Sequence, residues 1–148
     1  MRRILFVCHG NICRSAMAEW IMKDLVKRAG MEEMFEIDSA AVSREEIGND
    51  LYPPAKICLH AHGIPFGRHF ARQVTKRDYD NFDEIYLMDS SNLRNIRRIF
   101  PSDPDHKIHM LLPDRSIADP WYTDNFERTY MDLMEGCQRI LDEPDRSV

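Results

Sequence analysis

Arg3-Ile4-Leu5-Phe6-Val7, then Cys8-His9-Gly10-Asn11-Ile12-Cys13-Arg14-Ser15, then Ala16 through Ala29: an apolar run, a loop with one glycine and a helical period follow one another near the N-terminus. The run has no polar position after Arg3, which suits a strand buried on both faces, as in parallel sheets. Ala18, Ile21, Met22, Leu25, Val26 and Ala29 recur at helical spacing and predict an amphipathic helix, with Ser15 as its N-cap and Gly30 as its stop. A strand, a tight loop and a helix N-terminus together form an anion site from backbone N–H groups. Cys8 opens this loop and Arg14 closes it with five residues between, so a nucleophile and a bidentate cation can face one bound anion.

Working outward, Phe35 to Val42 suits a second strand, and residues 43–52 read as a loop. Pro53-Pro54 opens a helix whose inner face is Ala55, Cys58, Leu59 and His62, with Gly63 ending it. Residues 64–74 read as irregular, and Thr75 caps a short turn through Tyr79. Glu84 to Met88 is a third strand, followed by Asp89-Ser90-Ser91 and a helix to Phe100. Lys107 to Leu111 is a fourth strand, and a loop runs from Leu112 to Thr123. Asp124-Asn125-Phe126-Glu127 resembles a capping box for a last helix striped by Phe126, Tyr130, Leu133, Met134, Cys137, Ile140 and Leu141. Strands alternating with helices predict an α/β fold: a single-domain three-layer sandwich over residues 1–148. Its four-stranded, mostly parallel twisted sheet carries helices on both faces in the flavodoxin-like order 2-1-3-4. Residues 144–148 read as a frayed tail. In such sheets ligands bind beyond the carboxyl ends of strands, and the Cys8–Ser15 loop lies at that end of the first strand.

Composition narrows the function. The chain has 148 residues, 43% hydrophobic and 30% charged, which describes one globular domain. A net charge of −5 argues against nucleic acid or an anionic membrane as partner, so attraction for an anionic substrate must be local to a pocket. No apolar run approaches the roughly 20 residues of a membrane span, and the N-terminus lacks a signal-peptide cleavage pattern. The expectation is a cytoplasmic monomer. The four cysteines, Cys8, Cys13, Cys58 and Cys137, follow neither zinc nor disulfide-scaffold spacing. The histidines show no HExxH or comparable pattern, so neither metal nor cofactor is expected. Cys58 and Cys137 fall on apolar helix faces and read as core.

In the loop, Gly10 lets the chain approach an anion closely or take positive φ, and Asn11 suits a left-handed position tied to neighbours through its amide. Ser39 and His62 are the expected partners. The loop N–H groups, the helix dipole and Arg14 all favour the thiolate of Cys8, with Ser15 donating to the sulfur. Expelling an alkoxide or phenoxide then needs a proton donor. Asp119 is the first choice, held extended by Pro120, with Asp114 as its nearest rival. Trp121 and Tyr122 follow and can wall a slot for a flat aromatic group.

The loop Cys8-His9-Gly10-Asn11-Ile12-Cys13-Arg14-Ser15 resembles the signature loop of the low-molecular-weight protein tyrosine phosphatases, and Asp119-Pro120-Trp121-Tyr122 resembles that family's acid loop. Asp38-Ser39-Ala40, Ile47-Gly48, His62-Gly63-Ile64, Ala71-Arg72-Gln73-Val74-Thr75 and Met88-Asp89-Ser90-Ser91-Asn92-Leu93-Arg94 match other recurring segments, so the resemblance spans nearly the whole chain. It implies hydrolysis of phosphotyrosine in proteins, or of small aryl phosphates, through a cysteinyl-phosphate, with inorganic phosphate as product. Cys8 is then the nucleophile, Arg14 the phosphate clamp, Ser15 the thiolate's support and Asp119 the general acid. Asn11, Ser39 and His62 hold the loop, and Cys13 is a partner for a reversible disulfide with Cys8. Three positions depart from the pattern: His9 replaces an aliphatic residue, Ala16 stands where proline is common, and Glu45, beside Glu46, replaces an aromatic on the pocket wall opposite Trp121 and Tyr122. Other readings on this scaffold are weaker. An arsenate reductase needs further cysteines near Tyr86-Leu87-Met88-Asp89, and phosphoarginine phosphatases tend to carry threonine where this chain has Ile12. A catalytically silent phosphotyrosine-binding module has no need of Cys8, Arg14 and Asp119 together.

Overall fold

A computed structural model describes residues 1–143; the tail expected at 144–148 lies outside the described residues. Four parallel strands, β1 (Arg2–Cys8), β2 (Phe35–Ala41), β3 (Glu84–Leu87) and β4 (Ile108–Met110), form one sheet in the order β2-β1-β3-β4, as expected. The helices are α1 (Arg14–Arg28), α2 (Pro53–Ala61), α3 (Lys76–Asn81), α4 (Ser90–Ile96), α5 (Pro120–Thr123) and α6 (Phe126–Asp142).

The uninterrupted apolar run in β1 has a simple cause. Ile4, Leu5, Phe6 and Val7 are all 0% exposed, and alternate side chains enter two different cores. Ile4 and Phe6 pack with Met17 and Ile21 of α1 and Leu133, Cys137 and Ile140 of α6. Leu5 and Val7 pack with Val74, Tyr79, Phe82, Ile96 and Phe100 on the other face. Cys8 continues the alternation and joins the α1/α6 side. The strand ends are in register there, with Val7 opposite both Ala40 and Leu87, so the loops after β1, β2 and β3 share one rim. The glycine inside α6 also has a reason: a Cβ on Gly136 would lie 2.4 Å from Leu111 Cγ, so only glycine lets α6 approach the end of β4 this closely.

Several boundaries differ from expectation. Cys13, not Ser15, is the N-cap of α1, and Ser15 sits in the first turn with its hydroxyl turned to the Cys8 sulfur. The helix to Phe100 stops at Ile96, and the chain to Phe100 continues as turns in which the Ile96 carbonyl accepts from both Ile99 N and Phe100 N. The loop from Leu112 contains α5, one turn capped by Asp119, whose carboxylate accepts from Trp121 N. The last helix is capped one residue later than its motif suggested: Asn125 accepts from Arg128 N, and Asp124 takes a left-handed φ of 58°. Within the irregular stretch 64–74, Gln73 makes a parallel bridge to Ala41, which extends the edge of β2.

Candidate active site

Cys8 ends β1 and Arg14 begins α1, so the intervening loop turns the chain back on itself around one sulfur. The N–H groups of Asn11 and Ser15 both point at Cys8 Sγ at 3.4 Å, and Ser15 Oγ lies 3.0 Å from it. These are the contacts a thiolate needs, because each offers a donor to negative charge on sulfur. Asn11 takes φ of 62°, the left-handed conformation its short amide tolerates. Gly10 does not take positive φ; a Cβ there would instead meet Glu46 Cγ at 3.4 Å.

Asn11 is the hub of the loop's support. Its Nδ2 donates to Ser15 Oγ at 2.8 Å and to Ser39 Oγ at 2.9 Å, while its Oδ1 accepts from Arg72 N at 3.2 Å. Ser39 in turn donates to the buried Glu19 at 2.6 Å, which Lys23 neutralises. His62 is not among these partners. Closing α2, it faces α6, where Nε2 donates to Glu127 at 2.7 Å and the ring stacks on Tyr130. The histidine at the loop is His69, 6% exposed, whose Nε2 donates to the Asn11 carbonyl at 2.6 Å. Its own N–H is held by Asp50. Sequence favoured His62 because it closes a recognisable helix, whereas His69 lies in a stretch with no periodicity; what brings it to the loop is tertiary packing of residues 64–74 across β2.

Arg14 is 2% exposed and its guanidinium is aimed from outside the loop. Nη1 donates to Asp89 Oδ2 at 2.7 Å and to the Ile117 carbonyl at 2.8 Å, and Nη2 lies 3.4 Å from Asp119 Oδ2. Burial alone would weaken its hold on its proton, but the Cys8 sulfur, Asp89 and Asp119 outweigh that, so the cation is held more firmly than usual. No sequence pattern marks Asp89 as part of the site. Burial pushes its carboxyl up, yet Arg14 and the Asn92 N–H more than reverse this and hold it below its ordinary value. One oxygen caps α4 and the other orients Arg14. The available signal was its place directly past the end of β3, which neighbours β1.

Cys8, Arg14 and Asp119 meet in one pocket of about 150 Å³, which His9, Glu45, Glu46, Trp121 and Tyr122 also line. Gly10, Ile12 and Cys13 complete its wall. His9 Nε2 donates to Glu45 at 2.6 Å across the rim. Trp121, half exposed, leans on Tyr52 with ring centres 4.8 Å apart, and Tyr52 N donates to the Ile12 carbonyl, so the two halves of the pocket are braced through one tyrosine. Burial, then the charges of Cys8 and Asp119, push the Cys13 thiol far up, so it stays protonated. Asp114 does not reach the pocket; it is exposed and paired with Arg115. Chemically, the arrangement offers a sulfur nucleophile, a buried cation and a carboxylate across an anion-sized space, the set that attack at phosphorus on an ester requires.

Comparison with known proteins agrees with this geometry. Residues 3–148 match the low molecular weight phosphotyrosine protein phosphatase family. A chicken low molecular weight phosphotyrosine protein phosphatase is 40% identical over 97% of this chain and 96% of its own. The crystal structure of YfkJ from Bacillus subtilis superposes with a TM-score of 0.91 at 37% identity, covering 96% of this chain and 93% of that one. A Drosophila arginine phosphatase is also similar, with a TM-score of 0.83 at 31% identity over 96% of both chains. The chain belongs to the low molecular weight phosphotyrosine protein phosphatase family.

Proposed function

We propose that the protein hydrolyses phosphotyrosine in proteins, and small aryl phosphates, by way of a cysteinyl-phosphate at Cys8. The observation that carries this reading is the convergence of two backbone N–H groups and a hydroxyl on the Cys8 sulfur, with Arg14 and Asp119 in the same pocket. The sulfur attacks phosphorus in line, the S–P bond forms and the P–O bond to the phenol breaks. Asp119 gives its proton to the departing oxygen, and Arg14 with the loop N–H groups holds the equatorial oxygens of a loose transition state. Asp119, now a carboxylate, takes a proton from water as that water attacks phosphorus, releasing inorganic phosphate and the Cys8 thiolate, which Ser15 steadies as leaving group. Asn11 and Ser39 hold the loop's shape, and His69 takes the place expected of His62.

Trp121 and Tyr122 accept the phenyl ring on one side, and His9, Glu45 and Glu46 meet the flanking peptide on the other. Ile12, in the pocket wall, leaves less room than threonine and favours an aryl ester over phosphoarginine. All four cysteines are free thiols, in keeping with a reducing, cytoplasmic setting. Among the described residues no helix is long and apolar enough to cross a membrane. We read the protein as a monomer, needing no cofactor.

The test is turnover of phosphotyrosine, phosphoserine and phosphoarginine peptides of one sequence, side by side. Hydrolysis of the phosphotyrosine peptide alone is expected, lost in Cys8→Ser; preferential hydrolysis of phosphoarginine overturns the substrate assignment.

A further inference from the structure

On the molecule's other functional-looking cluster, Cys58 and His62 stand one turn apart on the α2 face that meets α6, and Glu127 lies in the first turn of α6. Cys58 Sγ, His62 Nε2 and a carboxylate oxygen of Glu127 all lie within 4.8 Å of one another. We propose that these three side chains form a binding site for a zinc-class divalent cation that fastens the end of α2 to the start of α6. The proposal is independent of the phosphatase reading, because none of the three residues lines the catalytic pocket.

The donor set is thiolate, imidazole and carboxylate, all ligands that zinc accepts, and the exposure of Glu127 leaves water able to supply a fourth ligand. Ligand bonds of about 2.0–2.3 Å place two donors roughly 3.4–3.6 Å apart on a tetrahedral ion. His62 Nε2 is now 2.7 Å from Glu127 Oε1, and Cys58 Sγ is 4.0 Å from Oε2. Seating the ion therefore needs the first pair to open and the others to close, by at most about 1.2 Å. Glu127 supplies its share of that movement through its side-chain torsions, and the Cys58 thiol closes on His62 by rotation about its Cα–Cβ bond. His62 need not move, since its ring is held flat against Tyr130, 3.7 Å away at 10°, with Nε2 already turned to Glu127. Cys58 is buried and otherwise weakly satisfied, its sulfur 3.6 Å from the Phe126 carbonyl.

Binding releases the Cys58 proton and takes His62 as the tautomer whose proton sits on Nδ1, so the ion meets a thiolate and, at Nε2, the lone pair of a neutral imidazole. Burial, and then the Glu127 charge, push the Cys58 thiol up to about 11, and affinity must therefore rise with pH.

Cobalt(II) added to full-length Cys8→Ser protein tests this, because that substitution removes the loop thiol as a competing ligand. A thiolate-to-cobalt charge-transfer band saturating at one equivalent is expected, together with a rise in Tm on adding zinc. Both should vanish in Cys8→Ser/Cys58→Ser. Cys8→Ser/Glu127→Gln changes only an exposed side chain and should keep the fold, and in it the cobalt affinity should fall at least about tenfold. No charge-transfer band, or a band that survives loss of Cys58, overturns the proposal. So does an affinity unchanged by Glu127→Gln.

Discussion

Asp89→Asn isolates how Arg14 is aimed. Asparagine caps a helix as well as aspartate does, so the Oδ1 bond from Asn92 N, 2.9 Å long, survives and α4 keeps its start. What is lost is the charge-assisted bond from Arg14 Nη1 to Oδ2 at 2.7 Å, replaced by an amide that offers only donors to a guanidinium. A hydrogen bond to a charged group contributes about 1.5–3 kcal/mol. The nearest remaining carboxylate is Asp119 Oδ2, 3.4 Å from Nη2, so the released guanidinium turns toward the acid and away from the phosphate oxygens. At one decade per ~1.4 kcal/mol, kcat/KM for an aryl phosphate should fall about 10- to 150-fold. Inhibition by inorganic phosphate should weaken in parallel, because the ground-state anion uses the same cation. Steady-state kinetics with phosphate as inhibitor, beside circular dichroism to verify folding, measures both. A kcat/KM and a phosphate affinity within about twofold of the parent would refute the reasoning and leave Asp89 a helix cap only.

The other predictions concern the acid, the loop's support and the second loop thiol. Asp119→Asn should lower kcat for aryl phosphates by about 10²- to 10⁴-fold with little change in KM, read from steady-state kinetics; an unchanged kcat removes Asp119 from the reaction. Burial works upward on Asp50, but Lys56 and the N–H groups of His69 and Leu51 hold its carboxyl well below the ordinary range. A depressed carboxylate contributes stability above its unfolded pKa of about 3.9 and loses it as pH falls. The Tm deficit of Asp50→Asn should therefore be largest near neutrality and shrink below about pH 4; a deficit constant with pH contradicts this. Hydrogen peroxide oxidises Cys8 to a sulfenic acid; this removes the Cys8 charge that helps hold the Cys13 proton, so Cys13 can give up that proton as its sulfur attacks Cys8, with loss of water. In the parent the disulfide shields Cys8 and dithiothreitol should restore activity; in Cys13→Ser the unshielded sulfenic acid meets further peroxide and passes to the sulfinic acid, which dithiothreitol does not reduce, so recovery should be poor, and equal recovery removes the disulfide.

How legible was this molecule before its structure? The sheet order follows from alternation of strands and helices, and the nucleophile loop from residue types that are costly to combine for any other purpose. Cys8, Arg14 and Asp119 meet because parallel strands end on one rim, a consequence of topology that periodicity can reveal. Support of that rim is less visible. Ser15 has the composition of an N-cap, but its hydroxyl is committed to the Cys8 sulfur, so α1 begins without a side-chain cap. His62 and His69 are equally plausible as letters; only the packing of an aperiodic segment decides between them. Asp89 hides behind its second task as a cap. Cys58 and Glu127 are 69 residues apart in sequence, and only the meeting of α2 with α6 makes them neighbours.

The central claim is that Cys8 carries the phosphoryl group between two half-reactions. Mixing the enzyme with a phosphotyrosine peptide, quenching in acid within one turnover and mapping the digest by mass spectrometry tests it directly. The account predicts one phosphoryl group on the peptide containing Cys8, present after the quench and absent in Cys8→Ser. Full turnover with no phosphoryl on that peptide, or with the label on another residue, would contradict it.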